Sequence, residues 1–535
     1  MAQTTFLVDA NSPASNPGGT GVWSNAYQNP QEAFDQAQPG DTVLIAEGSY
    51  TPDINGTTNI VAMDTLPGIT VTKRHHSFII PVPMRVVGGF KGYHIAGSGG
   101  LDPDAPDGLA SNTILHGDSS GTPANIFDNS HHVVHIDGQL STAFATDLVS
   151  LERLVIRDGN TYFSQASSSF DMVRAGAGIF CRDTVLRIIE VTVTSCLADG
   201  QGAGIYVTNG AIQTRACIIS NNMARNGGGG LMLIAQPEVA PETVRGWERM
   251  SQIHNVQFLD NFGGIGGGMC LAGPFYSWDD GEVDHPGLSV ANCLILGNRA
   301  LSGGGAHVLM DPTTSETPGN AAEWVNNTFS KNEAIGTRIS GSPDGMGGAL
   351  LLLQINQPTP SIKGFKLSNS ILMFNTGKDA NGIAIASNLE AYAGSLDAGS
   401  LSHNVIGDQP VQLPNNPDWA GSIINVIDVD PLFANAGVGN YHLSANSPCI
   451  EQGDDKLLPY DYRDLDEDGV TTGEFIPLDL DRYLGGNTSQ ATRDREHPAS
   501  NPVGASGITG GDGGNSMGPI NDLGCYEWKH IAQEI

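Results

Sequence analysis

Short apolar runs recur along the chain, and each is preceded by a polar residue and a cluster of glycines. One copy leads from Asn222 through four glycines into the run 231–234, and another leads from Asn298 through three glycines into 306–310. The runs are short and bounded by Gly or Asn, which predicts β-strands rather than helices. Repeats with a period of roughly 20 to 50 residues indicate a solenoid.

The last glycine of each cluster gives the period. Successive markers lie 26, 26, 38, 37 and 43 residues apart, at Gly178, Gly204, Gly230, Gly268, Gly305 and Gly348. A base period of 26 residues fits one coil with three short strands and three turns, paired with the next coil at about 4.8 Å. We predict an all-β fold, a single-stranded right-handed parallel β-helix with an N-terminal cap helix and a loop-rich C-terminal module.

Glycine and asparagine have structural explanations in this repeat. We expect the glycines where the chain needs a positive φ or where two backbones approach closely. Asparagine tolerates the left-handed region, and its side chain can bond to nearby backbone. Asn222, Asn261, Asn298 and Asn332 are therefore predicted to form a ladder that builds the scaffold and performs no chemistry.

The predicted cap helix lies close to the start of the chain. Asn29 followed by Pro30 marks a helix start with proline in the first turn, and Ala33, Phe34 and Ala37 share one face that can cover the end of the coil stack. We predict three regions: residues 1–50 as cap and first coil, 51–440 as β-helix with lateral insertions, and 441–535 as a C-terminal cap or anchor-type module.

Charge narrows the range of partners. The 535-residue chain has 57 acidic and 25 basic residues and a formal net charge of −32. This disfavours nucleic acid and anionic membrane surfaces, which need basic patches, and no apolar run is long enough to span a membrane. The acidic surface fits either solubility alone or cation binding.

The first residues bear on the compartment. Residues 1–4 have neither the charged nor the apolar region of a signal peptide, while the next residues already read as a strand. We expect a secreted or cell-surface protein whose signal sequence is absent from this chain, and a cytosolic protein is the alternative.

Both ends of the chain resemble a known group of proteins. The segments that carry the resemblance are 6–11, 21–27 and 38–52 near the start, and 430–433, 441–450 and 522–527 near the end. They resemble exported bacterial right-handed parallel β-helix proteins of the pectate-lyase-like superfamily with a C-terminal choice-of-anchor type module. The resemblance implies the fold but does not decide function, because this fold hosts lyases, hydrolases, adhesins and fibres. That module usually has small residues where this chain has Cys449 and Cys525, which suggests a disulfide between them.

One acidic segment matches the spacing of a calcium loop. Three aspartates occupy alternate positions, a glycine follows, and a glutamate comes late, which places Asp464, Asp466, Asp468, the Val470 carbonyl and Glu474 as candidate Ca²⁺ ligands. Glu474 falls one position earlier than the bidentate glutamate of an EF-hand loop, and Asp479 and Asp481 are close enough to replace it. The alternative is an acidic turn that binds no metal.

The longer steps between repeats indicate loops on one side of the rod. These insertions carry aromatic residues beside carboxylates, which suits sugar binding because ring faces pack on C–H surfaces while acids accept hydroxyl hydrogen bonds. The predicted glycan-binding residues are Trp247, Tyr276, Trp278, Asp279 and Asp280, and Trp324 is assigned to the same loops. The alternative is that these aromatics only pin the loops to the rod.

No catalytic motif is recognised, and the histidines at 131, 132 and 135 read as part of a strand. The leading hypothesis is a secreted or cell-surface protein that binds polysaccharide or cell-surface glycan, or that serves as a structural or adhesive surface or fibre component through self-association. The alternative is a calcium-assisted polysaccharide lyase or glycoside hydrolase that acts in the insertion-lined groove.

Overall fold

A computed structural model shows the chain as a nearly all-β protein. It forms two compact units, one of Met1–Met250, Phe258–Gly273 and Asn298–Ala300, and one of Ser251–Gln257, Pro274–Gly297 and Leu301–Ile535. The structure describes residues 3–15, 17–52, 72–93, 112–119, 126–145, 148–162, 174–235, 250–273, 275, 278–279, 284–310, 322–337, 344–354, 361–362, 364–392, 395–396, 401–407, 423–424, 428–450, 452–454 and 457–458.

A complete coil passes through four stacks of strands, here called sheets 1 to 4 in chain order. One coil runs through Ile205–Thr208, Ala211–Arg215, Cys217–Ser220 and Met223–Ala224. The residues paired between coils are a full period apart, as Ile179 is with Ile205 and Ile205 with Leu231, and these pairings are parallel. The predicted parallel β-helix is confirmed. The fourth strand, only two residues long in this coil, was not expected from the sequence.

The first unit contains strands of all four sheets. Its sheet 1 consists of Phe78–Ile80, Val134–Asp137, Ile179–Arg182, Ile205–Thr208, Leu231–Ile234 and Met269–Gly273. Sheet 2 consists of Thr5–Val8, Thr42–Ala46, Arg85–Phe90, Val149–Glu152, Val185–Ile189 and Ala211–Arg215. Sheet 3 consists of Gly48–Tyr50, Thr113–His116, Val155–Arg157, Thr192–Thr194 and Cys217–Ser220, and sheet 4 of Leu197–Ala198, Met223–Ala224 and Phe262–Ile265. Two further strands, Val256–Leu259 and Arg299–Ser302, contain residues of both units.

The second unit repeats the same order. Its sheet 1 consists of Ala306–Met310, Leu350–Gln354 and Leu389–Tyr392, and its sheet 2 of Ser251–His254, Leu288–Ala291, Ala322–Val325, Phe365–Ser368, Leu401–Ser402 and Ile423–Ile424. Sheet 3 consists of Leu294–Leu296, Thr328–Ser330, Ile371–Met373 and Val405–Ile406, and sheet 4 of Glu333–Ala334, Thr376–Lys378 and Ala384–Ala386. Three separate strand pairs are Trp278–Asp279 with Asp284–His285, Ser361–Ile362 with Ser395–Leu396, and Phe433–Asn435 with Asn440–Leu443.

The described helices are short. The α-helix Pro30–Phe34 begins at Asn29, whose side chain accepts from the Gln31 amide, and Glu32 completes the capping box. Phe34 is buried and meets the Phe78 ring at 6.4 Å, which confirms the predicted cap helix. The 3₁₀ helices are Trp23–Asn25, Lys73–His75, Ile126–Asp128, Gly138–Leu140, Thr142–Ala145 and Ala436–Val438. None of the described helices is long and apolar enough to cross a membrane.

The glycine clusters have the two roles predicted for them. The glycine two positions before the last one of a cluster adopts a left-handed conformation, with φ of +58° at Gly202 and +61° at Gly228. The glycine that closes a cluster lies against the next coil, because a Cβ on Gly230 would lie 2.5 Å from the Gly268 carbonyl oxygen. Only glycine fits at both places without displacing backbone.

The predicted asparagine ladder is present within each unit. In the first unit Asn222 donates to Asn261 Oδ1 at 3.1 Å, and Asn261 donates to Asn298 Oδ1 at 3.0 Å. In the second unit Asn332 donates to Asn375 Oδ1 at 2.8 Å. All of these side chains are buried, and their remaining donors reach backbone carbonyls, so the ladder satisfies polar groups at the corner between sheets 3 and 4.

The described part of the C-terminal region packs against the second unit. Leu443 and Cys449 join Ile371, Met373 and Val405 in one buried cluster. The Lys331 ammonium donates to the Ala436 carbonyl at 2.7 Å and lies 5.8 Å from the centre of the Tyr441 ring. The predicted division of the chain at residues 50 and 440 stays a prediction.

Candidate functional site at a corner of the first unit

Most of the predicted site residues lie outside the described residues. This holds for Trp247, Tyr276 and Asp280, for the calcium candidates Asp464, Asp466, Asp468, Val470 and Glu474, and for Cys525. The backbone of Trp278 and Asp279 is described, and it pairs in antiparallel register with His285 and Asp284. Cys449 is buried, and its predicted bond to Cys525 stays a prediction.

The assignment of Trp324 to an insertion loop was wrong. Trp324 lies within the strand Ala322–Val325, is fully buried, and meets the Phe329 ring at 6.0 Å. It belongs to the core of the second unit, because its neighbour Glu323 takes the outward position and contacts Lys366 at 3.0 Å. The long insertions themselves follow strands of sheet 1, as predicted, after Ile234, Gly273, Met310 and Gln354.

Sheet 1 of the first unit carries aromatic side chains that are closed to solvent. His135, Phe180 and Tyr206 occupy paired positions on successive strands, and all three are buried. The His135 ring stacks on the Phe180 ring at 4.9 Å. This agrees with the interpretation of the histidines as packed strand residues. No group of three or more His, Cys, Asp or Glu side chains within the described ranges is arranged to hold a metal ion.

An open group of ionisable side chains lies instead at the corner between sheets 3 and 4 in the first coils. His116 ends the strand Thr113–His116, and its register partner Arg157 ends the strand Val155–Arg157. Asp158 occupies the corner with φ of +62°, and Asp118 follows His116 by two residues. We call His116, Asp118, Arg157 and Asp158 the corner cluster.

Backbone contacts bring the two segments of the corner cluster together. The Gly117 amide donates to the Arg157 carbonyl at 2.9 Å, and the Gly117 carbonyl accepts from the Ser130 amide at 2.8 Å. A Cβ on Gly117 would lie 2.4 Å from the Asp158 carbonyl oxygen. Glycine at this position therefore allows the close approach that places Asp118 near Asp158.

The charges of the cluster alter two pKa values in opposite directions. Burial lowers the pKa of His116, the Arg157 charge lowers it further, and Asp158 and Asp118 oppose the change. Burial raises the pKa of Asp158, with Arg157 and His116 opposing and Asp118 adding to the change. His116 is therefore largely neutral near pH 7, while Asp158 keeps its proton to a higher pH than an ordinary aspartate.

The corner cluster is accessible at Arg157 and Asp158, whereas Asp118 is buried. The side chains of Arg157 and Asp158 are 44% and 29% exposed, and Arg157 Nε lies 3.3 Å from Asp158 Oδ2. Next along the same outward row come Thr194 and Ser220, whose hydroxyls bond to each other at 3.1 Å. The row thus changes from ionisable groups in the first coils to hydroxyl groups in the following ones.

One feature of the sequence marks this cluster, because the column of ladder asparagines is interrupted beside it. The register that pairs Leu197 with Met223 and with Asn160 places Gly159 and Cys196 where later coils have a ladder asparagine. Cys196 still closes the ladder, because its backbone amide donates to Asn222 Oδ1 at 3.0 Å. The corner cluster lies beyond this end of the ladder, where the repeat departs from its scaffold pattern.

The parallel coils define the class of protein, a parallel β-helix solenoid. No protein-family model and no curated protein matches the chain. Among solved structures, a rhamnogalacturonan lyase matches with 10% sequence identity and a TM-score of 0.25, over 80% of this chain and 85% of that one. Similarity at this level says nothing about activity, and the fold assignment rests on the strand pairings of the chain itself.

Proposed function

We propose that this protein binds glycans at the corner cluster. The observation that supports the proposal is the exposed Arg157 guanidinium, which lies beside an imidazole, the partly exposed Asp158 and the buried Asp118 at a corner of the first unit. Arginine can bind a carboxylate with two parallel hydrogen bonds. Imidazole and carboxylate groups accept hydrogen bonds from hydroxyls. A polysaccharide that contains uronic acid residues offers both kinds of group.

The other expectations from the sequence extend this proposal. The loop residues Trp247, Tyr276, Trp278, Asp279 and Asp280 are proposed to bind glycan separately from the corner cluster. A secreted or cell-surface location, self-association into fibres and a calcium ion held by Asp464, Asp466, Asp468, Val470 and Glu474 belong to the same proposal. A melting temperature that falls on addition of a chelator would support the calcium site.

Binding is tested by titration calorimetry with polygalacturonate, alginate and neutral xylan. We expect affinity for at least one acidic polymer, and we expect Arg157→Gln to weaken it about tenfold, as for the loss of a charged hydrogen bond. Arg225→Gln is the matched control, because Arg225 is 73% exposed on a later coil. Binding to none of the polymers would contradict the proposed function.

Catalysis is a second candidate, and the composition of the corner cluster favours it. A β-elimination needs a base, a cation beside the uronate carboxylate and an acid, and His116, Arg157 and Asp158 supply these three groups. His116 would take the proton from the carbon next to the carboxylate. The electron pair of that C–H bond would form the new C=C bond as the C–O bond to the leaving sugar breaks, and Asp158 would protonate the leaving oxygen.

The enzyme hypothesis predicts an unsaturated product with ultraviolet absorbance, and activity greatest at mildly acidic pH. The base is neutral only above the lowered pKa of His116, and the acid is protonated only below the raised pKa of Asp158. A reducing-sugar assay on the same polymers would detect hydrolysis instead. Absence of product in both assays would leave glycan binding without catalysis.

A further inference from the structure

Two exposed aromatic side chains belong to the segments that surround the corner cluster. Phe127 is 59% exposed and Tyr162 is 40% exposed. Among the described Phe, Tyr and Trp residues, the others with large exposure are Tyr93 and Phe374. An exposed phenylalanine ring leaves apolar area in water, which favours a partner that covers it.

The amide of one buried side chain connects both aromatic segments. Asn160 is 1% exposed, its Nδ2 donates to the Ile126 carbonyl at 2.6 Å, and its Oδ1 accepts from the Tyr162 amide at 2.8 Å. The Arg74 guanidinium donates to the carbonyls of Asn160 and Tyr162 at 2.8 and 3.1 Å. These bonds hold the backbone that carries Phe127 and Tyr162, so the rings are attached to a fixed frame.

The same frame connects to the corner cluster. Asn160 follows Asp158 by two residues, and the backbone amide of Asn160 donates to the Ser130 carbonyl at 2.7 Å. Ser119, next to Asp118, donates its hydroxyl to the Asp128 carbonyl at 3.0 Å. Phe127 and Tyr162 are therefore carried by the backbone segments that also position the ionisable groups.

We propose that Phe127 and Tyr162 form a stacking platform for a pyranose ring of the glycan bound at the corner cluster. Sugar rings present an apolar C–H face and a rim of hydroxyls, and a binding site needs an apolar surface beside convergent polar groups to hold both. The platform supplies the apolar surface, and Arg157, His116 and the two aspartates supply the polar groups. This inference rests on the proposed function and assigns the ligand a pyranose in contact with aromatic side chains.

The test uses the full chain and whichever polymer of the calorimetry panel binds wild type. Phe127→Ala and Tyr162→Ala are each expected to weaken binding about tenfold, since base or ring stacking on an aromatic side chain is typically worth this much or more. Phe374→Ala is the matched control, because Phe374 is 42% exposed and lies in the second unit. It should leave the affinity unchanged.

Tyr162→Phe separates ring stacking from hydrogen bonding by the phenol. If the ring carries the contact, this variant binds like wild type. If Tyr162→Phe instead loses as much glycan affinity as Tyr162→Ala, the platform is overturned. Wild-type binding with unchanged affinity in both alanine variants would also overturn it while the proposed function stands. Failure of wild type to bind any polymer would instead remove the proposed function, and this inference with it.

Discussion

The corner between sheets 3 and 4 differs between two regions of the first unit. In the later coils it holds Asn222, Asn261 and Asn298, which are buried and bonded to each other and to backbone. In the first coils the corresponding stretch holds Asp158 and Gly159, with His116 and Arg157 beside them. The backbone is similar, since Asp158 and Asn221 both adopt positive φ, but Gly159 stands where the later coils have a ladder asparagine.

This difference separates scaffold from chemistry. A ladder asparagine such as Asn261 finds partners for its side-chain groups in the coils on both sides, so it has little left for a ligand. In the corner cluster, Arg157 and Asp158 reach solvent, and neighbouring charges contribute to the pKa values of His116 and Asp158. A repeat position that keeps its residue type is best explained by packing, and a position where the repeat departs is the better place to look for function.

The largest effect on stability should come from breaking the ladder. Asn261→Ala removes the acceptor of the Asn222 backbone amide and the donor to the Ile219 carbonyl, and both of these backbone groups are buried inside the coil. Leaving these buried groups without partners should lower the free energy of unfolding by about 4 kcal/mol. Urea unfolding measures this change in the free energy of unfolding. Asp260→Asn, at the neighbouring exposed position with φ of +52°, is the control and should change little.

A loss under 1 kcal/mol in Asn261→Ala would contradict the view that the ladder is essential scaffold.

His307 shows that a lowered pKa alone does not mark a functional site. It is buried in the second unit, and burial alone lowers its pKa to about 4 from the usual 6.5. Because the unfolded chain binds this proton more readily, stability is intact above pH 6.5, falls as the pH drops from 6.5 to 4, and levels off below 4, with a total loss of about 3 kcal/mol. His307→Leu should remove this part of the acid sensitivity.

The measurement is urea unfolding of wild type and His307→Leu at several pH values between 7 and 4. The gap between the two curves should widen on acidification in favour of the variant. Parallel curves would show that burial in the folded chain does not lower the pKa of His307. His116 differs from His307 because charged neighbours contribute to its pKa, and this is why it is included in the candidate site.

The glycine that closes a cluster should tolerate substitution by alanine less well than a glycine in an open turn. Gly230→Ala places a Cβ 2.5 Å from a backbone oxygen of the next coil and should cost about 2 to 3 kcal/mol. Gly21 has φ of +86° but no atom within 4 Å of an added Cβ, so Gly21→Ala should cost about 1 kcal/mol. Thermal unfolding would compare the stability of the two variants. Equal losses of stability would mean that backbone conformation, rather than close stacking of coils, selects glycine.

The repeat could be predicted from the sequence because steric rules select its residues. Close backbone approach admits only glycine at positions such as Gly204 and Gly230, and buried hydrogen bonds at the corner favour asparagine. The repeated glycines and asparagines can therefore be recognised in the amino-acid sequence. The corner cluster could not be predicted in the same way. His116 and Arg157 belong to early coils of unequal length that lack the full glycine phrase, so nothing in the sequence showed that they are register partners.

The smallest change in stability is expected in the corner cluster. Arg157→Gln and Asp158→Asn break an ion pair whose side chains are 44% and 29% exposed, and such pairs contribute at most about 1 kcal/mol. Asparagine also suits the positive φ of residue 158. Each variant should therefore unfold within about 0.5 kcal/mol of wild type while glycan binding falls in Arg157→Gln. Urea unfolding of the calorimetry samples measures both effects on the same protein. A loss of stability near that of Asn261→Ala would make these charges part of the scaffold and remove the distinction between the two regions of the corner.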